Sequence, residues 1–198
     1  MPAAEALIEC IQGFAVEASN PVLSVLPLDR PLEYHHKYPE PVFDFSSAGL
    51  KAYYHCHPSV SCPAQEHGHF HIFVSLGPQQ WSHIAGLSMD RQGQPLQWFT
   101  VNHWVTGEAW AAPHDIVTAV ERLSEPEELS LTEKWLWHMV QFYLPTLRAL
   151  LDARERRFEA LSQQRNSEEV QQDHEIYLLS ARDIDLLQDL ERQIAALA

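Results

Sequence analysis

The feature that most constrains the fold of this chain is the order of its hydrophobic patterns. Strand-like and helix-like stretches occupy separate parts of the sequence. Aromatic and β-branched residues cluster in short runs in the second quarter of the chain, and helical spacing dominates the second half. Strands grouped before helices favour an α+β fold, because βαβ units would interleave the two patterns. The sequence therefore predicts a largely antiparallel sheet of about four strands, flanked by an N-terminal helix and a C-terminal helical half.

Proline or a glycine-containing turn separates the strand-like runs. The four predicted strands are residues 52–57, 69–76, 82–89 and 96–103. The last two surround a short loop that contains Gly93, which predicts a hairpin. We expect its register to place His83 opposite His103, because that pairing collects one apolar set on one face.

Helical spacing predicts the other elements. Residues 2–18 form a first helix, and five prolines within residues 21–41 then predict an irregular, extended segment. A helix over residues 112–123 follows the strands. We expect a histidine-rich core over residues 1–123 and a helical extension over residues 124–198.

The helical extension contains two predicted helices. The first begins at a capping-box pattern, Ser130 to Glu133, bends at Pro145 and continues to residue 165. The second carries an apolar stripe from Ile176 to Leu197. This stripe predicts packing on the preceding helix or, alternatively, a homodimer through the C-terminal helices.

The charge balance argues against several classes of partner. Lysine and arginine number 13 and the acidic residues 27, which gives a net charge of −14. Such a chain is repelled by phosphate backbones, so we expect no nucleic acid partner. No apolar run reaches membrane-spanning length, and the N-terminal stretch lacks the basic residue of a signal peptide. With only three cysteines, the sequence predicts a cytoplasmic protein that does not bind a membrane.

Histidine is unusually frequent, with 12 in the chain and eight within residues 55–114. Imidazole titrates near neutral pH and is a common metal ligand. Because alternate residues of a strand face the same way, the spacing predicts two sets of imidazoles, one on each of two strands. The sets are His55 with His57, and His67 with His69 and His71.

Two strands that direct imidazoles into a common space can supply three or four nitrogens to one metal ion. We expect the ligands to come from these five histidines, with His83 and His103 as further ligands or supports. Imidazole indicates iron, zinc or copper rather than calcium or magnesium. Glu66 is the first candidate for a catalytic carboxylate or ligand, and Glu108 is the second. Cys62 lies in the connection between the two strands, from which it could reach the site.

Four stretches carry a resemblance to a known family: residues 54–58, 66–71, 82–90 and 99–110. They include the motifs Glu-His-Gly-His-Phe-His and Trp-Val-Thr-Gly-Glu, and together they resemble an uncharacterised bacterial domain family. The resemblance implies one folded unit over roughly residues 50–122 and carries no established activity.

Residues 67–73 also resemble the His-x-His-x-His pattern of the histidine-triad superfamily. Gly68 stands where that superfamily has a bulky apolar residue. The resemblance implies that His69 attacks a nucleotide phosphate, with His67 and His71 in support and without a metal ion.

Three hypotheses of function follow. The first is a non-heme metalloenzyme that acts on a small molecule, with iron, zinc or copper as its ion. The second is a histidine-triad-like nucleotide hydrolase or transferase. The third is a non-catalytic metal-binding or assembly protein whose C-terminal helices form its partner surface.

Overall fold

A computed structural model describes residues 2–27, 29–45, 49–57 and 65–197 of the chain. Within these ranges it contains six strands and seven helices. The strands are β1 (Tyr38–Phe45), β2 (Leu50–His55), β3 (Gly68–Gly77), β4 (Gln80–Met89), β5 (Pro95–Val101) and β6 (Leu178–Asp183). The helices are α1 (Ala3–Val16), α2 (His103–Thr106), α3 (Pro113–Glu121), α4 (Leu131–Phe142), α5 (Leu144–Ser162), α6 (Ser167–Gln171) and α7 (Leu186–Leu197).

The six strands form one sheet in chain order, β1 to β6, and every neighbouring pair is antiparallel. The α+β class, the N-terminal helix and the C-terminal helices are confirmed. The sheet has six strands rather than about four.

The first additional strand, β1, lies in the segment that was predicted to be irregular. Pro39 and Pro41 within it have no N–H group to donate. A central strand needs these groups, because it forms hydrogen bonds with a neighbouring strand on each side. β1 lies at the edge of the sheet and pairs only with β2, and its register shifts between Tyr38 and Phe43, across both prolines. A strand at the edge of the sheet can therefore contain two prolines, which would argue against a strand at a central position.

The second additional strand, β6, lies inside the predicted last helix, so that helix prediction is wrong for its first part. β6 pairs with β5, where the hydroxyls of Thr100 and Ser180 are 2.7 Å apart. The Ser180 hydroxyl also donates to the backbone oxygen of Leu150 at 2.8 Å. Pairing with an open sheet edge outweighs the local helical spacing here, and the helix begins only at α7.

The predicted register of the β4–β5 hairpin is wrong by one residue. Gly86 lies opposite Phe99, and a further register shift follows between Ser88 and Met89. β5 ends at Val101, and His103 is the first residue of α2. His83 and His103 therefore do not face each other across the hairpin.

The two faces of the sheet differ in chemistry. One face is apolar and packs against the helices in a continuous core. The strand residues of this core are Tyr38, Phe45, Leu50, Ala52, Tyr54, Phe70, Ile72, Val74, Ile84, Ala85, Leu87, Met89 and Trp98. The rings of Phe70 and of Trp135 in α4 have centroids 6.2 Å apart. The intervening residues of β2 and β3, which include His55, His69 and His71, lie on the opposite face.

The C-terminal helices pack against the core, to which α4, α5 and α7 contribute Leu136, Leu147 and Leu190. The capping box predicted at Ser130 and Glu133 is present at the start of α4. Pro145 lies in the first turn of α5, where its missing N–H is not needed, rather than at a bend within one helix.

Domain division at residue 123 and a homodimer remain predictions. Among the described residues, no helix is both long enough and apolar enough to cross a membrane.

Candidate metal centre

The ends of β2 and β3 bring three of the predicted histidines together. His55 lies opposite His69 in the ladder, and His57 follows two residues after His55. The Nε2 atoms of His55 and His69 are 2.8 Å apart. One nitrogen from each of the three rings lies within 4.8 Å of the others. In the described part of the chain, no other group of three or more His, Cys, Asp or Glu side chains meets this condition.

The spacing of these nitrogens is close to what a metal ion requires. Zinc–nitrogen bonds of about 2.0–2.1 Å place two tetrahedral ligand atoms about 3.3 Å apart. The observed separation between the Nε2 atoms of His55 and His69 is 2.8 Å. At this distance the two nitrogens share a hydrogen-bonding proton. Loss of that proton from Nε2 and a shift of about half an ångström would convert this pair into two ligands of one ion.

Glu66 contacts His69 on the side away from His55. Its Oε1 lies 2.8 Å from Nδ1 of His69, and the side chains of His69 and Glu66 are 2% and 3% exposed. The hydroxyl of Ser88 donates to the other carboxylate oxygen. A carboxylate next to Nδ1 holds the proton there and leaves Nε2 with a lone pair for a metal ion. These contacts favour a positioning role for Glu66, and its role as a ligand or base remains a prediction.

His71 lies next to the three histidines and is completely buried. Its Nδ1 is 2.9 Å from Nε2 of His83. Its own Nε2 is buried and has no hydrogen-bond partner among the described residues, and the same is true of Nε2 of His57. Two buried nitrogens beside the His55–His69 pair are therefore available to a further ligand.

Burial and neighbouring imidazoles keep these rings neutral. Burial, together with His69 and other nearby histidines, lowers the pKa of His55 to about 2 and that of His57 to about 4. The same causes hold the pKa of His71 well below its usual value. Burial and the nearby Arg154 lower the pKa of His83 to about 3. Neutral imidazole is the form that binds a metal ion.

Phe99 covers the centre on the β5 side. Its ring centroid is 5.1 Å from that of His69 and 6.2 Å from that of His71. The ring lies directly over Gly86, where a Cβ atom would overlap three of its ring carbons. A glycine at this position therefore lets the phenyl ring lie against the sheet beside the histidines.

The structure places His67 away from this group. Its Nδ1 lies 2.8 Å from the hydroxyl of Tyr54, which belongs to the core on the other face of the sheet. β3 begins only at Gly68, so strand alternation does not extend to His67. The expectation that His67 shares a face with His69 and His71 is therefore wrong.

The remaining predicted site residues meet at a second place. His83, His103 and Glu108 line a cavity of about 10 Å³ together with Trp110 and Arg154. Oε1 of Glu108 pairs with Nζ of Lys51 at 2.7 Å. None of the three belongs to the group of three histidines. Their metal-binding or catalytic roles remain predictions, and Cys62 lies outside the described residues.

Sequence reasoning missed several residues that surround the centre. The ring of His35 lies 4.7 Å from that of His57, and Nζ of Lys37 lies 4.4 Å from the centre of the Tyr53 ring. Ser88 pairs directly with His69 across the β3–β4 ladder. The β3–β4 register would have identified Ser88. His35 and Lys37 precede β1 in a segment where periodicity carries no signal.

The chain belongs to a family described as a domain of unknown function (DUF6969), and the match covers residues 1–184. This confirms the resemblance to an uncharacterised family. No curated protein and no solved structure matches the chain.

Proposed function

We propose that this protein binds a transition metal ion through the Nε2 atoms of His55, His57 and His69. The observation that carries the proposal is that Nε2 of His55 and Nε2 of His69 lie 2.8 Å apart. They lie beside Nε2 of His57, which is buried and has no hydrogen-bond partner among the described residues. Buried polar atoms in proteins are nearly always satisfied. One ion bound between the rings satisfies all three nitrogens at once.

The donor set indicates which ions to expect. Imidazole nitrogens suit zinc, copper and iron, whereas non-heme iron oxygenases add a carboxylate ligand. The nearest carboxylate, Glu66, already contacts His69 and Ser88. We therefore expect zinc or copper to bind more tightly than iron.

The fourth ligand of the ion separates the two metal-based hypotheses. With water in that position, the ion would activate it or polarise a substrate oxygen, as in a metalloenzyme that acts on a small molecule. With a protein side chain there, the centre is closed, as in structural metal sites. The histidine-triad hypothesis fits less well, because His67 contacts Tyr54 instead of supporting His69.

The test is the metal content of protein purified without a histidine tag. Elemental mass spectrometry should find close to one zinc or copper per chain after loading and removal of free metal. His55→Gln and His69→Gln should each abolish retention, whereas His114→Gln, an exposed histidine in α3, should retain the ion. Absence of bound metal in the folded wild-type protein would refute the proposal.

A further inference from the structure

We propose that the centre is a cage of four imidazoles in which Nε2 of His71 is the fourth ligand. This inference rests on the proposed function, because it names the residue that completes the same site. It implies that the ion is enclosed by protein and leaves no position for a substrate.

The hydrogen bonds around His71 orient its ring for this role. Nδ1 of His71 and Nε2 of His83 lie 2.9 Å apart, so one of these two nitrogens holds the proton of a hydrogen bond between the rings. We assign this proton to Nδ1 of His71, because a proton on its buried Nε2 would have no acceptor among the described residues. Nε2 of His71 therefore carries a lone pair. His83 thus holds the proton on Nδ1 of His71, as Glu66 holds the proton on Nδ1 of His69.

Five of the six distances between the rings match a tetrahedral cage. Four imidazoles bound to zinc through bonds of about 2.0–2.1 Å have ring centroids about 5 Å apart. The centroids of His55, His57 and His69 are separated by 4.5, 4.6 and 5.1 Å. The centroid of His71 lies 5.0 Å from that of His55 and 4.8 Å from that of His69. The fourth ring therefore stands at this spacing from two of the other three, and ion binding would have to draw His71 and His57 closer together, since His71 lies outside the three-histidine group.

The surroundings of His71 offer its Nε2 no other partner. The ring is enclosed by the aromatic rings of Tyr53, Phe73 and Phe99, at centroid distances of 5.4, 6.3 and 6.2 Å. Among the described residues, Nε2 has no hydrogen-bond partner. A buried lone pair in an aromatic enclosure, beside three candidate ligands, is best satisfied by the same ion.

A closed cage has a definite chemical consequence. A tetrahedral ion with four protein nitrogens has no open position at which to activate water. The inference therefore favours a protein that holds a metal ion over one that hydrolyses a substrate.

The experiment uses the cobalt-loaded protein, because the visible spectrum of Co²⁺ depends on its ligands. In the wild-type protein, added azide should leave this spectrum unchanged, since no ligand position is open. In His71→Phe and His71→Gln, azide should change the spectrum. Zinc affinity, measured against a chelator, should fall by more than about tenfold. Circular dichroism and thermal unfolding identify the variant that folds.

A matched control separates orientation from ligation. His83→Gln keeps all four proposed ligands and should bind zinc more weakly, yet its cobalt spectrum should not respond to azide. An azide-sensitive wild-type spectrum, together with unchanged zinc affinity in the folded His71 variant, would overturn the cage and leave the three-histidine proposal standing. Failure of the wild-type protein to bind cobalt or zinc would overturn both.

Discussion

At the scale of single residues, the histidines of the His-Gly-His-Phe-His run differ in what their Nδ1 atoms contact. Nδ1 of His67 meets a tyrosine hydroxyl, that of His69 a carboxylate, and that of His71 another imidazole. These partners decide which nitrogen holds a proton and which is free to bind. The sequence predicted that histidines would converge here. It could not predict their partners, because Tyr54 and His83 come from other strands.

Glu66→Gln tests the positioning of His69. The amide can donate as well as accept, so it no longer holds the proton on Nδ1 of His69. We expect zinc affinity to fall about 10- to 100-fold while the fold is kept. Competition with a chelator measures this loss. Glu108→Gln is the matched control, because Glu108 pairs with Lys51, and it should leave the affinity unchanged.

Gly86→Ala tests the close approach of Phe99 to the sheet. The added methyl group overlaps the phenyl ring, so we expect a loss of about 1–3 kcal/mol in the free energy of unfolding. Urea denaturation checks this value. Gly13→Ala in α1 is the control, because its Cβ would meet only the flexible end of the Leu131 side chain. Equal stability of the two variants would contradict the expectation.

At the scale of elements, local pattern predicted the first helices and the central strands well, and the sheet edges and the last helix poorly. β2 to β5 and α1, α3 and α4 lie close to their predicted positions. β1 and β6 were missed because the edge position, which the sequence does not encode locally, permits prolines in one and overrides helical spacing in the other. The register between β4 and β5 could not be predicted from local pattern either, because β-bulges shift the pairing of these strands by single residues.

α7 offers a comparison between two leucines of one helix. Leu190 is 3% exposed and belongs to the core, whereas Leu187 is 56% exposed. We expect Leu190→Ala to lower the free energy of unfolding by about 2–5 kcal/mol. Leu187→Ala should change it by less than about 0.5 kcal/mol. Thermal or urea unfolding measures both, and similar losses would mean that α7 packs through another face.

At the scale of the whole molecule, the buried imidazoles link stability to pH. His71 and His83 are neutral in the folded protein, with pKa values held below the ordinary value of 6.5. In the unfolded chain they take up protons as the pH falls through that value. Below pH 6.5 the unfolded state therefore binds more protons, and acidification destabilises the fold.

We expect metal-free protein to lose about 1 kcal/mol of unfolding free energy for each of these two imidazoles between pH 7 and pH 5.5. Urea titrations at the two pH values measure the difference. His83→Phe removes one of the two groups and should reduce the loss. A metal-free protein that is equally stable at both pH values would contradict this linkage.

The meander order of the sheet has a consequence for the route by which the chain folds. All the proposed ligands lie on β2, on β3 or directly after β2, and only 14 positions separate His55 from His69. By contrast, the contact between Thr100 and Ser180 joins residues 80 positions apart. Closing a short loop costs less entropy than closing a long one. The histidine pair can therefore meet early, while β6 must wait for the five helices that lie between β5 and β6 in the chain. An ion present during synthesis would meet its ligands before the sheet is complete.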